Sequence, residues 1–296
     1  MDAESWSPLV LVGMGVIGLS MYLWVFKHVR SESNTLEQRL REWSKRMGLD
    51  VQNQTHGVID GNSLEASGKL LGQELRVEAG SRRQGAATRY AHLSLHVNPP
   101  GGLPVPMRVA PEGFAATLWK AVSRADITVG DDAFDTQVLV TGEDEPGIVG
   151  LLDSETRSLM IELVGAQGWT IDESGLHSDP NLLTPSELDQ FEECASKAAR
   201  LSARLAREGS TEGRLIENLF AESKEAVRSK NLNMLLMMPQ TPAIRSALLQ
   251  VPSLRSWDMT IRAGKALGEG GIRMLAEAAV SAPSPFACRA VRARLP

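Results

Sequence analysis

Nineteen consecutive residues near the start of the chain, Pro8 to Phe26, carry no charge. As a helix rising about 1.5 Å per residue they would reach roughly 28 Å, close to the thickness of a bilayer's hydrocarbon core. Within the run, Gly13, Gly15 and Gly18 are spaced as G-x-G-x-x-G. A dinucleotide loop needs that spacing between a strand and an amphipathic helix, whose N-terminus then holds the pyrophosphate. Here "LSMYLWVF" follows, apolar on every side, and Pro8 leaves little room for a strand before Gly13. The run therefore reads as a membrane span, in which glycines are tolerated. Tyr22 and Trp24 sit near one end, where amphipathic rings favour the interface.

The flanks give an orientation. "MDAES" lacks the basic start of a cleaved signal peptide, and no A-x-A-like site follows the run. Lys27, Arg30, Arg39, Arg41, Lys45 and Arg46 lie on its C-terminal side. By the positive-inside rule the N-terminus faces out and the bulk of the chain faces the cytoplasm, as expected of a single-pass protein. The two cysteines, Cys194 and Cys288, form no C-x-x-C pair, which fits a reducing compartment.

Charge divides the rest. Residues 48–183 hold 19 acidic and 9 basic side chains, whereas residues 211–296 hold 7 and 12. Such asymmetry points to regions with different surfaces. The expected organisation is an anchor over 1–30, a juxtamembrane amphipathic helix over 31–48, an α+β domain over 49–182, a linker helix over 183–210 and an all-helical tail over 211–296.

In the juxtamembrane segment Leu36, Leu40, Trp43 and Met47 form one apolar stripe. Thr35 and Gln38 could form a capping box, and Gly48 a stop. That stripe predicts packing on the next domain in preference to the membrane surface. In the middle domain "HGVID", "ELRVEAG", "RYAHLSLHV", "PMRVAPE" and "DTQVLVTG" read as strands, and "WTIDESGLHSD" as a closing strand or hairpin. "GFAATLWKAVSRA" reads as a short helix, and "EPGIVGLLDSETRSLMIELVGAQG" as helix in two pieces broken near Asp153. Strands precede helices without a strict βαβ period, so the class is α+β. Thr184, Pro185 and Glu187 open the linker helix, whose Leu188, Phe191, Ala195, Ala198 and Leu205 approach a heptad seam interrupted by Ser202. The seam leaves dimerisation open.

The tail is rich in Leu, Met and Ala and divided by Pro and Gly. Thr260 to Ala278, "TIRAGKALGEGGIRMLAEA", resembles the second helix and turn of a HEAT repeat at Arg262, Ala266, Leu267, Gly268, Gly271 and Leu275. Pro242 to Val251 resembles a second, degenerate copy, although Arg245 and Arg262 are only 17 residues apart, short of the roughly 40-residue period. The layout as a whole resembles bacterial single-span membrane-anchored proteins with a mixed domain and a helical tail. In them a "Gly-Asp…Phe-Asp" segment would correspond to Gly130, Asp131, Phe134 and Asp135. That resemblance implies location and architecture and assigns no activity.

Candidate chemistry is sparse. His92 and His96 form H-x-x-x-H, but on a strand they would stand about 13 Å apart and could not share an ion. Asp131, Asp132 and Asp135 in "GDDAFD" lack calcium-loop spacing and read as a turn, with Phe134 plugging the core beneath it. No nucleophile elbow or phosphate-binding loop appears. The expectation is a membrane-anchored, cytoplasm-facing interaction or scaffold protein without a catalytic residue, metal or cofactor. The alternative is a membrane-tethered enzyme with its site in the α+β domain. Arg245, Arg255, Arg262, Arg273, Arg289 and Arg292 are the candidate partner-binding residues, directed at a protein partner, the chain's own acidic domain or anionic lipid. Nucleic acid is disfavoured, since the tail has only Phe220, Trp257 and Phe286 for stacking.

Overall fold

The computed structural model describes residues 38–55, 62–84, 88–112, 126–178 and 188–281. The expected span at Pro8 to Phe26, the strand "HGVID", the helix "GFAATLWKAVSRA", the cap at Thr184 and the tail residues Arg289 and Arg292 lie outside them. Among the described residues no helix is long and apolar enough to cross a membrane. The class is α+β, with antiparallel strands followed by an all-helical C-terminal region. The described residues fall into two compact units, one within 1–100 and 175–202, the other within 101–174 and 203–296.

In the first unit, helix α1 covers residues 38–47. Gly48, at φ +69°, ends it. The Leu49 N–H donates to the Ser44 carbonyl at 2.8 Å and the Gly48 N–H to that of Lys45 at 3.3 Å, a Schellman closure. The expected stripe faces inward, with Leu40 and Trp43 buried. Trp43 meets Phe191 edge to face at 4.9 Å between ring centroids. Strands β1 (Asp50–Thr55), β2 (Asn62–Leu70), β3 (Gln73–Gln84) and β4 (Thr88–Asn98) then form an antiparallel meander. Leu71 and Gly72, at φ 51° and 81°, make the two-residue β2–β3 turn, the geometry that matches strand twist. Alternation sets the two faces. Leu75, Val77, Leu93, Leu95 and Val97 are buried, while Glu74 and Arg76 face out. The short β8 (Gly175–His177) joins β4 through His96↔His177 and Val97↔Leu176. Helix α5 (Leu188–Leu205), which belongs to this unit as far as Ser202, buries Phe191, Ala195 and Ala198, so these seam residues serve the unit's own core. Ser202, the interruption in that seam, is buried and donates to the Gln73 Oε1 at 2.8 Å.

In the second unit, β5 (Met107–Pro111) lies between β6 (Val138–Gly142) and β7 (Thr170–Asp172), antiparallel to both. A short helix α2 (Asp132–Asp135) precedes β6. The expected two-piece helix is present as α3 (Glu145–Leu151) and α4 (Ser154–Met160), continued by a π turn over Ile161–Gly165. The break has a cause: the Asp153 carboxylate accepts from the Thr156 N–H at 2.9 Å, capping α4, as Asp144 caps α3 through the Gly147 N–H at 3.0 Å. Helices α6 (Thr211–Ala221), α7 (Glu225–Met237), α8 (Pro242–Gln250), α9 (Trp257–Ala266) and α10 (Glu269–Ser281) follow, with a 3-10 turn at Val251–Leu254.

Glycine sets the α9–α10 approach. Gly268, at φ +61°, turns the chain. A Cβ on Gly271 would lie 1.9 Å from the Gly264 carbonyl oxygen, and one on Gly264 would lie 2.7 Å from Leu275 Cγ. Backbone fills the first space and cannot yield, so Gly271→Ala must push the helices apart. The expected cost is about 1–3 kcal/mol, the usual price of overpacking. A chemical-denaturation midpoint unchanged by Gly271→Ala would contradict this packing.

Candidate functional site

The segment singled out as "GDDAFD" closes over a buried ion cluster. Gly130 has φ +82°, and a Cβ there would sit 3.0 Å from the Ala226 carbonyl, so the turn needs glycine. Both Asp135 oxygens are engaged by the turn itself, accepting from the Val129 N–H at 3.0 Å and the Gly130 N–H at 2.9 Å. Phe134 is fully buried beneath, as expected. Asp131 points the other way. Its Oδ2 accepts from Arg157 Nε at 3.1 Å and its Oδ1 from Lys224 Nζ at 2.5 Å. The Asp131 and Asp135 carboxylates thus have separate tasks and do not converge on one point.

Arg157 is the centre of the cluster. Its Nη1 and Nη2 fork onto the two Glu222 oxygens at 2.8 and 3.0 Å, and Nη1 also donates to the Leu152 carbonyl at 2.7 Å. The side chains of Arg157 and Glu222 are each 3% exposed, that of Asp131 6%. Burial works against the charged forms of Asp131 and Arg157, and the partners outweigh it. Lys224 and Arg157 hold the Asp131 carboxyl below its usual range, while Glu222 and Asp131 raise the guanidinium. A planar fork matches a carboxylate in a way an ammonium cannot.

A second arginine clamps the start of α4. Arg204 Nε donates to Thr156 Oγ1 at 3.2 Å, and its Nη1 and Nη2 reach Glu155 at 2.6 Å and Asp153 at 2.5 Å. Burial opposes ionisation of Asp153, but the Thr156 N–H and Arg204 hold its carboxyl below the usual range. Arg214 donates through Nη2 to the carbonyls of Arg207 and Gly209 at 2.9 and 2.6 Å, fixing the chain between α5 and α6. Burial, with Arg207 nearby, pushes its pKa down.

The candidate partner-binding arginines are used differently from one another. Arg262 is half-buried and braces α9 on α7, donating to Asn233 Oδ1 at 2.5 Å and Ser229 Oγ at 2.7 Å, with Asp258 at 2.8 Å. Arg273 pairs with Glu277 one turn on at 2.9 Å. Arg245 and Arg255 are exposed, the latter at φ 57°. Among the described residues of the tail, Lys224, on Asp131, and Lys230, on Glu145 at 2.5 Å, meet the acidic segment 101–174 instead. Nothing in the local pattern of either lysine marks its partner, 93 residues upstream for Lys224 and 85 for Lys230.

In the first unit β4 runs through both expected histidines. His92 lies opposite Gly80 and His96 opposite Arg76. On its other edge His96 faces His177, 81 residues away, with their Nδ1 atoms 2.7 Å apart. The rings are edge to face at 4.9 Å between centroids, and both are half-buried. His96 therefore has a close histidine neighbour, and it is not His92. No family model, curated protein or solved structure matches the chain.

Proposed function

We propose that this chain is a membrane-anchored interaction or scaffold protein. Pro8 to Phe26 would be its single span, with the N-terminus outside and the remainder facing the cytoplasm. The helical tail, a degenerate HEAT-like array, would present the partner surface. The observation that carries this reading is the outer surface of the tail. Met237 is 72% exposed and Leu249 52%, alongside exposed Arg245 and Arg255 on the same run of helices. Apolar and arginine side chains together are the usual material of protein interfaces. The α9–α10 hairpin supports the HEAT-like reading through its Gly268 turn and its close Gly264–Gly271 contact. Long helical arrays of that kind bind partners along their surfaces.

Fractionation and capture from detergent-solubilised membranes test the two parts. The full chain should sediment with membranes and resist salt extraction, and deletion of residues 1–30 should release it. Capture through the full chain should yield a partner that is lost on combining Met237→Glu with Leu249→Glu. A full chain soluble without detergent would refute the anchor. A captured set unaffected by the double substitution would refute the assigned surface.

A further inference from the structure

We infer that His96 and His177 form a chelating site for a divalent late transition-metal ion of the copper or nickel type. Directly opposed residues on antiparallel strands carry their Cβ atoms about 4.5–5.5 Å apart, close enough for two imidazoles to meet. The β4–β8 register places these two opposite one another, and their Nδ1 atoms already stand 2.7 Å apart. Two nitrogens each about 2.0–2.1 Å from one ion are about 2.9 Å apart at a right angle and about 3.3 Å apart at a tetrahedral angle. The observed spacing needs an opening of only about 0.2 Å to reach the right-angle value, set by that metal–nitrogen distance. Cis positions of a square-planar or tetragonal centre, the preference of Cu(II) and Ni(II), therefore fit better than a zinc tetrahedron.

The setting suits an ion entering from solvent. Both rings are half-buried on the face opposite Leu95 and Val97, so water can complete the coordination. Arg76 stands across from His96 on β3, but its charge is met by Glu65, at 2.8 Å from Nε. Glu74 and Glu78 occupy the flanking positions of β3, on the same face as Arg76. Binding through both Nδ1 atoms needs both rings in the Nε2–H tautomer. The proton between the two Nδ1 atoms then passes to an Nε2, and neutral rings bind the ion with no net proton release. His92 lies four residues from His96 along β4, about 13 Å by strand rise. The expectation of a metal-free domain weighed the His92–His96 spacing and the Asp131, Asp132 and Asp135 turn, whereas this second ligand, His177, lies 81 residues further along the chain.

The test uses the purified full chain, without a histidine tag, titrated with Cu(II) and separately with Ni(II). One ion per chain should bind, with a Cu(II) resonance split by two equivalent nitrogens. His96→Asn and His177→Asn should each abolish stoichiometric binding, and His92→Asn should retain it. In the unsubstituted protein, Ni(II) should broaden the ring signals of His96 and His177 before those of His28, His56 and His92, a readout independent of whether a variant folds. Titration indistinguishable from the His96→Asn/His177→Asn double variant, or first broadening at another histidine, would overturn the site.

Discussion

Arg157→Leu should destabilise the second unit by about 3–5 kcal/mol, the usual loss when one member of a buried ion pair is removed. The size follows from what stays behind. Glu222 would lose the donors on both oxygens, and Asp131 would keep only Lys224, whose side chain is half exposed. Neither carboxylate can reach water without opening the packing of α6 against α3. Lys224→Ala should cost much less, about 1 kcal/mol or under, because a partly solvated ammonium contributes little. Arg157→Lys should fall between them, keeping the charge and losing the fork. If burial of unpaired charge is the cause, a triple variant with Arg157→Leu, Asp131→Asn and Glu222→Gln should recover much of the loss. Denaturant midpoints decide the matter. A loss below about 1 kcal/mol for Arg157→Leu would mean that the cluster relaxes into solvent.

The Arg157 cluster and the Arg204 clamp together set an acid limit. Asp131 and Asp153 both have folded pKa values below the ordinary carboxylate range. Their contribution to stability is therefore complete above the unfolded value of about 3.9 and is lost as pH falls through the lower folded values. Stability measured downward from pH 5 should fall, and should fall less steeply in the Arg157→Leu variant, which has already lost one of the interactions that depress Asp131.

Local signals were legible in the sequence wherever one segment carries its own instructions. Gly48 after a stripe ending at Met47 announced the end of α1, and Asp153 announced the restart of α4. Phe134 beside turn residues announced the plug under "GDDAFD". Alternation marked β3 and β4, and the spacing of Pro, Gly and apolar residues marked the helical tail. What could not be read was pairing across long separations. Arg157 looks like an ordinary polar position of an amphipathic helix, and only the meeting of α2, α4 and the end of α6 makes it a buried centre. Likewise His177 sits in a three-residue strand too short for periodicity to register, so its pairing with His96 had no local trace. The arginines of the tail were grouped by composition, yet Arg262 is spent on bracing two helices while Lys224 and Lys230 meet the acidic side chains. Charge counts locate a surplus and do not say which side chains are already occupied.

In the first unit, Trp43→Ala should unfold α1 from its packing and cost about 3–5 kcal/mol, the range for deleting a large buried aromatic. Trp43 is 1% exposed, and its edge-to-face contact with Phe191 adds about 0.5–1.5 kcal/mol to what burial alone supplies. Leu40, one turn earlier, is fully buried on the same stripe, so the helix is held by a continuous apolar seam. Trp43→Phe should behave differently. Among the described residues the buried Trp43 indole N–H has no acceptor, and a donor left so costs about 1–3 kcal/mol. Phenylalanine removes that donor while keeping a ring against Phe191, so the two effects oppose and the net change should stay within about 1 kcal/mol, an order set by the same penalty. The contrast separates two uses of the stripe. If α1 belongs to the folded unit, Trp43→Ala lowers the unfolding midpoint of the chain lacking residues 1–30 as much as that of the full chain in detergent. If the stripe instead lies on lipid, the substitution weakens vesicle binding and leaves the midpoint of the shortened chain where it was, which would remove α1 from the core.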